Sequence, residues 1–347
     1  MLFALPSDDT LYDALLARDP AWDGRAWVAV GSTGVFCRLT CPARKPRREN
    51  CTFHASIAAC LEAGFRPCKR CHPLAGGTDP ATADLLAALE ADPGRRWTEA
   101  CVAARGWDPS TIRRAFRRQF GMTFLTMARL RRLGRGAAEL AEGGAVIAAQ
   151  QAAGFESASG FRCAFARYLG VAPGTLARDG LLQADWIETA LGAMVAVASR
   201  THLHLLEFAD RPALPNELRR LRAEAKGSLG LGRLPPVDAV AAELDAFLAG
   251  RGAGFATPLE PAGTPFQRQV WAALRAIPPG HTRSYSEIAA AIGRPAATRA
   301  VARANGANRI AVVIPCHRVI GADGSLTGYG GGLWRKRRLI EAERAYR

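Results

Sequence analysis

The stretch Val313-Ile-Pro-Cys-His-Arg-Val319 closes an apolar run that begins at Ile310 and delivers a cysteine with a histidine beside it. A thiolate is a strong nucleophile when a base takes its proton and a third group orients that base. Cys316 and His317 are candidates for the first two parts. By itself the pair is weak, because buried cysteines are usually inert packing residues. A Cys-His hydrolase fits the pair alone as well as a group-transfer site does, so the surrounding sequence has to separate them.

Outward from Cys316 lie Thr264-Pro-Phe-Gln-Arg-Gln-Val-Trp271, Ile277-Pro-Pro-Gly-His-Thr-Arg-Ser-Tyr285, Ala297-Thr-Arg-Ala-Val301, Ala307-Asn308 and Gly328-Tyr-Gly-Gly-Gly-Leu333. In this order, over about residues 262–347, the blocks closely resemble the methylguanine-DNA methyltransferase domain. The resemblance implies that Cys316 takes the alkyl group of a flipped O6-alkylguanine, and of O4-methylthymine, in a reaction that consumes the protein. It also implies helices over 266–276, 284–292 and 296–304, the last two forming a helix-turn-helix that enters the minor groove. Arg299 would fill the gap left by the flipped base, and Tyr285 would stand against the phosphate. Asn308 would brace the turn carrying the thiol. Tyr329 would donate a hydrogen bond to the departing guanine, in a pocket formed by the glycine loop 329–333. His317 would draw the thiol proton through a water and Glu343 would orient His317.

At 347 residues a single core is not expected, and two to four domains are. The net charge of +15 is uneven: Lys and Arg stand against Asp and Glu as 10 to 7 over residues 1–78, 14 to 10 over 79–180, 8 to 10 over 181–260 and 14 to 4 over 261–347. Such a distribution suits a polyanionic partner met by some domains and not by others, although a generally arginine-rich composition is the bland alternative. The sequence has no run of about 18 apolar residues and no charged-then-apolar layout at its start, so a cytoplasmic protein without a membrane partner is expected. In a reducing compartment its nine cysteines are thiols or metal ligands.

Four of them announce a metal site. Cys37-x3-Cys41 and Cys68-x2-Cys71 are separated by 26 residues, and two such pairs can close a tetrahedral zinc site of four sulfurs. Cys51 and Cys60 fall outside both pairs and read as singles. Thr33-Gly-Val-Phe-Cys37, Cys41-Pro-Ala-Arg-Lys-Pro-Arg-Arg-Glu-Asn50 and Ala63-Gly-Phe-Arg-Pro-Cys-Lys-Arg-Cys71 resemble the N-terminal domain of the Ada adaptive-response family, with Leu39-Thr40 departing from the pattern in a loop. The resemblance implies that Cys37, as a zinc thiolate, accepts a methyl group from a neutral methylphosphotriester. The site's negative charge would then fall, and Arg44, Lys45, Arg47 and Arg48 would hold the DNA backbone with less opposition, making a switch. A purely architectural zinc site is the alternative.

Pro73-Leu-Ala-Gly-Gly-Thr-Asp-Pro80 reads as a linker. From Ala81 to Ala177 the pattern is helical, and Ala115-Phe-Arg-Arg-Gln-Phe-Gly-Met-Thr123 aligns with Ala164-Phe-Ala-Arg-Tyr-Leu-Gly-Val-Ala172 at an offset of 49 residues. Each copy follows a glycine turn, at Gly106 and Gly154. Two helix-turn-helix units joined by a longer helix resemble the AraC-type DNA-binding domain. Recognition helices are expected to begin near Pro109 and Ser157. Ile112, Phe116 and Phe120 form the apolar stripe of the first, leaving Arg113, Arg114, Arg117 and Arg118 as candidates for phosphates or guanine edges. Phe124 and Gly160 depart from the family pattern, which bears on sequence specificity.

Residues 181–260 are the least informative. Strands over 193–199 and 202–208 and helices over 216–226 and 237–248 are expected, resembling the N-terminal half of the methyltransferase. His202 and His204 alternate along a strand and read as structural.

The expectation is a multidomain α+β chain. It comprises a zinc-binding α/β domain (1–75), an all-α double helix-turn-helix domain (80–178), a ribonuclease-H-like half (182–260), and an active-site half that is helical and winged-helix-like (261–347). One Zn2+ is the expected cofactor, and alkylated and promoter double-stranded DNA the expected partner. The family resemblance adds RNA polymerase and a monomeric state. A zinc-sensing transcription factor would account for residues 1–180 but not for the Cys316 blocks. A methylated-DNA binder without transferase activity would not need Cys316.

Overall fold

The computed structural model describes residues 6–19, 22, 26–55, 57–71, 73, 80–176, 180–343 and 346. Most of the expected linker, residues 74–79, lies outside the described residues, as does Ala177. The chain forms two compact units, Met1–Ala87 and Ala88–Arg347.

The first unit opens with α1 (Asp8–Ala17), whose Ser7 cap accepts from the Thr10 N–H at 3.3 Å and whose first turn carries Asp8 and Asp9 against the positive end of the helix dipole. Strands β1 (Trp27–Val30), β2 (Val35–Arg38) and β3 (Cys51–His54), helix α2 (Ile57–Glu62) and strand β4 (Arg66–Pro67) follow. The sheet order is β3-β1-β2-β4. All four residues of β1 are buried because both faces are covered: Val28 and Val30 pack with α1 and Cys37, while Trp27 and Ala29 pack with Phe36 and Cys60. Cys51 and Cys60 are buried singles, as expected. Strand β4 runs parallel to β2, with Val35 opposite Arg66 and Phe36 opposite Pro67. The next residue on each strand is therefore Cys37 and Cys68.

From Pro80 to residue 176 the described residues are helical: α3 (Pro80–Ala91), α4 (Glu99–Ala103), α5 (Pro109–Phe120), α6 (Phe124–Ala141), α7 (Val146–Ala152) and α8 (Ala158–Leu169). In α5 and α8 the repeat holds in structure as well as in offset. Helices α5 and α8 each have 12 residues, capped by Asp108 and Ser157 and stopped by Gly121 and Gly170 at φ of 69° and 71°. Ile112 and Phe116 face inward on α5, and Phe161, Phe165 and Leu169 do so on α8.

Next come β5 (Leu182–Ile187), β6 (Met194–Ala198), β7 (Leu203–Phe208), α9 (Leu214–Glu224), β8 (Leu229–Leu231) and α10 (Pro235–Leu248), with sheet order β7-β6-β5-β8. The sequence reading had the middle two strands and both helices, and lacked β5 and β8. Every residue of β6 is buried, and alternation assigns the two faces. Met194, Ala196 and Ala198 join the core that holds Cys316, whereas Val195 and Val197 join the core built on Phe161 and Phe165. One sheet therefore carries the helix-turn-helix bundle on one side and the Cys316 half on the other.

That half contains α11 (Pro265–Arg275), β9 (Arg283–Ser284), α12 (Tyr285–Ala291), α13 (Thr298–Gly306), β10 (Val319–Ile320) and α14 (Leu333–Glu343), close to the expected helices. Capping boxes at Thr264/Gln267 and Ser284/Glu287 fix the starts of α11 and α12.

Gly170 combines a left-handed backbone with a close neighbour: a Cβ there would be driven into the Pro215 carbonyl oxygen at the start of α9. Gly143 has φ of 87° with open space around it. Gly170→Ala should therefore destabilise Ala88–Arg347 by about 2 kcal/mol or more and Gly143→Ala by about 1, read as shifts of the urea midpoint followed by tryptophan fluorescence.

Candidate functional sites

In the first unit, β2 and β4 bring the two cysteine pairs together. Cys41 follows a turn in which its N–H donates to the Arg38 carbonyl at 3.1 Å, and the Cys68 N–H donates to the Phe36 carbonyl at 3.0 Å. The Sγ atoms of Cys37, Cys41, Cys68 and Cys71 all lie within 4.8 Å of one another. Backbone N–H groups of Arg38 and Arg70 point at the sulfurs of Cys71 and Cys68, both at 3.4 Å. Without a cation, sulfurs this close cannot all ionise. A hydrogen bond from Cys37 holds the Cys71 thiol down to about 5, and that same bond, with burial, pushes the Cys37 thiol far up. Four converging sulfurs that need a positive charge to lose their protons fit Zn2+.

The basic loop beside this site is less open than its sequence implies. Arg44 and Arg47 are exposed, Arg47 lying 3.6 Å from the exposed Glu49. The Lys45 ammonium instead turns inward and donates to the Leu15 and Leu39 carbonyls, and burial lowers its pKa. Arg48 is half-buried, tied to Asp9 at 2.9 Å and Asp8 at 3.7 Å over the Tyr12 ring. Of the four cations expected to hold DNA, Arg44 and Arg47 are exposed, while Lys45 is tied to the Leu15 and Leu39 carbonyls and Arg48 to acids of α1. On α5 all four arginines are exposed, with Arg113 ion-paired to Glu99.

In the second unit Cys316 lines a cavity of about 490 Å³, within the roughly 300–1,000 Å³ typical of small-molecule pockets. Tyr285 from α12, Asn308 and Tyr329 line it too, as do Gly328, Gly330 and Gly331. The turn that delivers Cys316 is tight. The Val313 N–H donates to the Ala311 carbonyl at 2.8 Å across Val312 at φ of 70°, a strained conformation for a β-branched residue. A second such turn joins the Cys316 N–H to the Ile314 carbonyl at 2.7 Å across Pro315. Asn308 spans both: its Nδ2 donates to the Ile314 carbonyl at 2.9 Å and to Cys316 Sγ at 3.1 Å, and its Oδ1 accepts from the Ile310 N–H at 3.0 Å. Burial pushes the Cys316 thiol up to about 11, against the Asn308 hydrogen bond that lowers it. The resting sulfur is therefore a thiol at neutral pH.

Behind the turn, His317 is fully buried, with Nε2 at 2.8 Å from Glu343 Oε1. Burial alone would raise the Glu343 carboxyl, but hydrogen bonds from His317 and Arg318 hold it down to about 2. An ionised Glu343 accepts a hydrogen bond from Nε2–H of His317 and leaves Nδ1, which is buried without a partner among the described residues, as the nitrogen with the free lone pair. Burial keeps this imidazole neutral. The Tyr329 hydroxyl is likewise buried without a partner. Arg299 is exposed on α13, one turn before the cavity-lining Ala302, and does not itself line the cavity. His204 sits 3.7 Å from Glu260 and does not line the Cys316 cavity.

Several residues went unread in the sequence. Arg318 binds both Glu343 oxygens at 2.9 Å and the Ile277 carbonyl at 2.5 Å. The buried Lys336 ammonium donates to the Val319 and Thr327 carbonyls, each at 2.5 Å, tying α14 to the pocket loop. From the end of β7, Arg211 pairs with Glu207 and donates to the carbonyls of Asn308 at 3.1 Å and Gly306 at 2.9 Å. Adjacency to His317 was the available signal for Arg318, and the i, i+4 spacing for the Glu207 and Arg211 pair.

Comparison with known proteins gives three matches along the chain: "Metal binding domain of Ada" over residues 10–73, "Helix-turn-helix domain" over 102–179 and "6-O-methylguanine DNA methyltransferase, DNA binding domain" over 265–345. The chain is 36% identical over 349 residues to the bifunctional transcriptional activator/DNA repair enzyme Ada of Escherichia coli K12, covering 97% of this chain and 96% of that protein. It is 54% identical over 161 residues to a methylated-DNA–protein-cysteine methyltransferase of Mycobacterium leprae, covering 46% of this chain and 90% of that one. Among solved structures, the Mycobacterium tuberculosis O6-methylguanine methyltransferase matches with 39% identity and a TM-score of 0.42, covering 47% of this chain and 93% of that one.

Glu207 lines the same cavity as Cys316 and its charge raises the thiol pKa. Burial, opposed by Arg211, pushes the Glu207 carboxyl up to about 7, so it is charged throughout the range in which the thiol ionises. Removing that charge favours the thiolate. Glu207→Gln should shift the pH profile of Cys316 trapping by iodoacetamide to lower pH, by about one unit.

Proposed function

The chain belongs to the Ada family, being 36% identical to an Ada protein over nearly the whole of both chains, and from that membership we infer how its residues divide the work. It repairs alkylated DNA by transferring methyl groups to its own cysteines, binds one zinc ion through Cys37, Cys41, Cys68 and Cys71, and carries an AraC-type DNA-binding regulator. A zinc-containing regulator with O6-alkylguanine repair alone is not favoured.

Cys316 is the acceptor for O6-methylguanine. The observation that carries this reading is the buried thiol in the 490 Å³ cavity, with Asn308 on its sulfur and the His317–Glu343 pair behind it. The flipped base enters the cavity walled by the 329–333 loop. The thiol proton passes through a water to His317 Nδ1, which makes the imidazole a cation stabilised by Glu343. Sulfur forms a bond to the methyl carbon as the carbon–O6 bond breaks, and the electron pair leaves with the guanine. Tyr329 donates a hydrogen bond to that developing anion. Arg299 fills the vacated stack and Tyr285 supports the rotated phosphate. The product is a thioether and the site works once.

Cys37 is the acceptor for methylphosphotriesters, the reading supported by the Ada metal-binding match and by the four converging sulfurs. When bound, zinc keeps all four sulfurs deprotonated, so no base is needed. The cluster then carries a charge of roughly −2, which disfavours ordinary phosphates and admits the neutral triester. Methylated Cys37 leaves roughly −1, and the exposed Arg44 and Arg47 then hold the backbone against less repulsion. The domains follow the boundaries 1–75, 80–178, 182–260 and 261–347. The regulator acts as a cytoplasmic monomer that engages RNA polymerase. Among the described residues no helix is long and apolar enough to cross a membrane.

The test is peptide mass spectrometry after incubation with methylated double-stranded DNA. One methyl is expected on Cys316 and one on Cys37, and the Cys37 signal alone should disappear after zinc is removed with a chelator. Methyl on neither cysteine would overturn the assignment of both acceptors.

A further inference from the structure

Helices α5 and α8 agree in length, caps and buried stripe, and differ on their outward faces. At an offset of 49 residues, Thr111, Arg114 and Arg117 of α5 become Gly160, Cys163 and Ala166 of α8, while Arg113 and Arg118 recur as Arg162 and Arg167. Reading bases in the major groove takes side chains long enough to reach the base edges, with donors or acceptors to match them. At the three changed positions α8 offers no side chain, a weak thiol donor and a methyl group.

What α8 has instead is a cavity of about 360 Å³ along its Gly160, Ala164 and Arg167 side, walled opposite by Arg96, Arg129 and Arg132. Glu156 is the single acid in its lining and is ion-paired to Arg96. Arg132 is buried, its Nε and Nη2 donating to the carbonyls of Ala153 at 2.7 Å and Gly154 at 2.6 Å, with its guanidinium 4.6 Å over the Phe155 ring. No carboxylate pairs with Arg129, Arg132 or Arg167 among the described residues. Burial and the charges of Arg96 and Arg129 work against the charge of Arg132, and an anion in the groove relieves that repulsion. Arginine forks lining an open groove match a phosphate diester.

We propose that the second helix-turn-helix is a phosphate clamp, holding the DNA backbone in the groove of Arg96, Arg129, Arg132 and Arg167, while sequence is read by α5 alone. This rests on DNA binding by the domain and goes beyond it. The two units share one geometry, so the chain engages DNA over two grooves yet specifies bases in one.

The zinc-loaded full-length protein should be used to select from a random duplex pool. The expected consensus is a single block, not two blocks about 10 base pairs apart. Arg129→Gln/Arg167→Gln should weaken binding to the selected duplex and to a scrambled one by the same factor, about 10-fold, and flatten the salt dependence of log affinity by about 2. Arg114→Gln/Arg117→Gln should instead erase the difference between the two duplexes. Two consensus blocks, or loss of discrimination in the Arg129/Arg167 variant, would overturn the clamp and leave the regulator intact. DNA retained with no consensus would overturn base reading by α5, and with it the regulatory role. Thermal stabilisation by inorganic phosphate at fixed ionic strength, lost in the Arg129/Arg167 variant while its DNA binding stays unchanged, would assign the groove to a free anion and also overturn the proposal.

Discussion

The Glu343 carboxylate is the point on which the repair half turns. It lies almost wholly buried, where an isolated charge would be costly, and is compensated by Arg318 on both oxygens, His317 Nε2 at 2.8 Å and the Gly280 N–H at 3.1 Å. Those contacts join α14 to the Cys316 turn and to the Pro279-Gly280 loop. They also fix which nitrogen of His317 carries a proton, a matter of orientation rather than of basicity alone. Lys336 on the same helix ties the pocket loop through two carbonyls. The last helix thus both shapes the pocket and sets the tautomer of His317, the proposed base.

The two proposed acceptor cysteines meet one chemical requirement in opposite ways. Cys316 is held as a neutral thiol by burial and has a buried imidazole behind it, so in the proposed relay the nucleophile is made only on demand. Cys37 sits among three other sulfurs and needs a cation to ionise at all. Neither arrangement exposes a free thiolate to solvent, where oxidation is fastest.

How much of this could be read from sequence follows from the range of the interactions. The zinc cysteines, the Cys316 blocks and the 49-residue repeat are local patterns, and the structure puts α5 and α8 at starts 49 residues apart. Strand β8 is three residues centred on Gly230, a poor strand former that pairs only because β5 is beside it. Strand β5 does alternate from Leu182 to Trp186, with Gln183 and Asp185 as the polar positions, so its signal was present in the sequence and went unread. Arg211 reaches carbonyls more than 90 residues away, at Gly306 and Asn308, so its i, i+4 spacing from Glu207 announces the ion pair and not the link to the Cys316 half. Lys45 read as a DNA cation because the loop is basic, and its ammonium is spent on two carbonyls instead. The fully buried β6 hid a further fact, that its two faces serve two different cores.

The most direct measurement is the rate of methyl transfer to each cysteine in Glu343→Gln, with methylated duplex DNA and peptide mass spectrometry, alongside a melting curve. Transfer to Cys316 should fall by about 100-fold or more, because a neutral amide neither selects the tautomer nor stabilises the imidazolium, while transfer to Cys37 stays at the wild-type rate. A folded variant that methylates Cys316 at the wild-type rate would contradict the relay and with it the central account of this site.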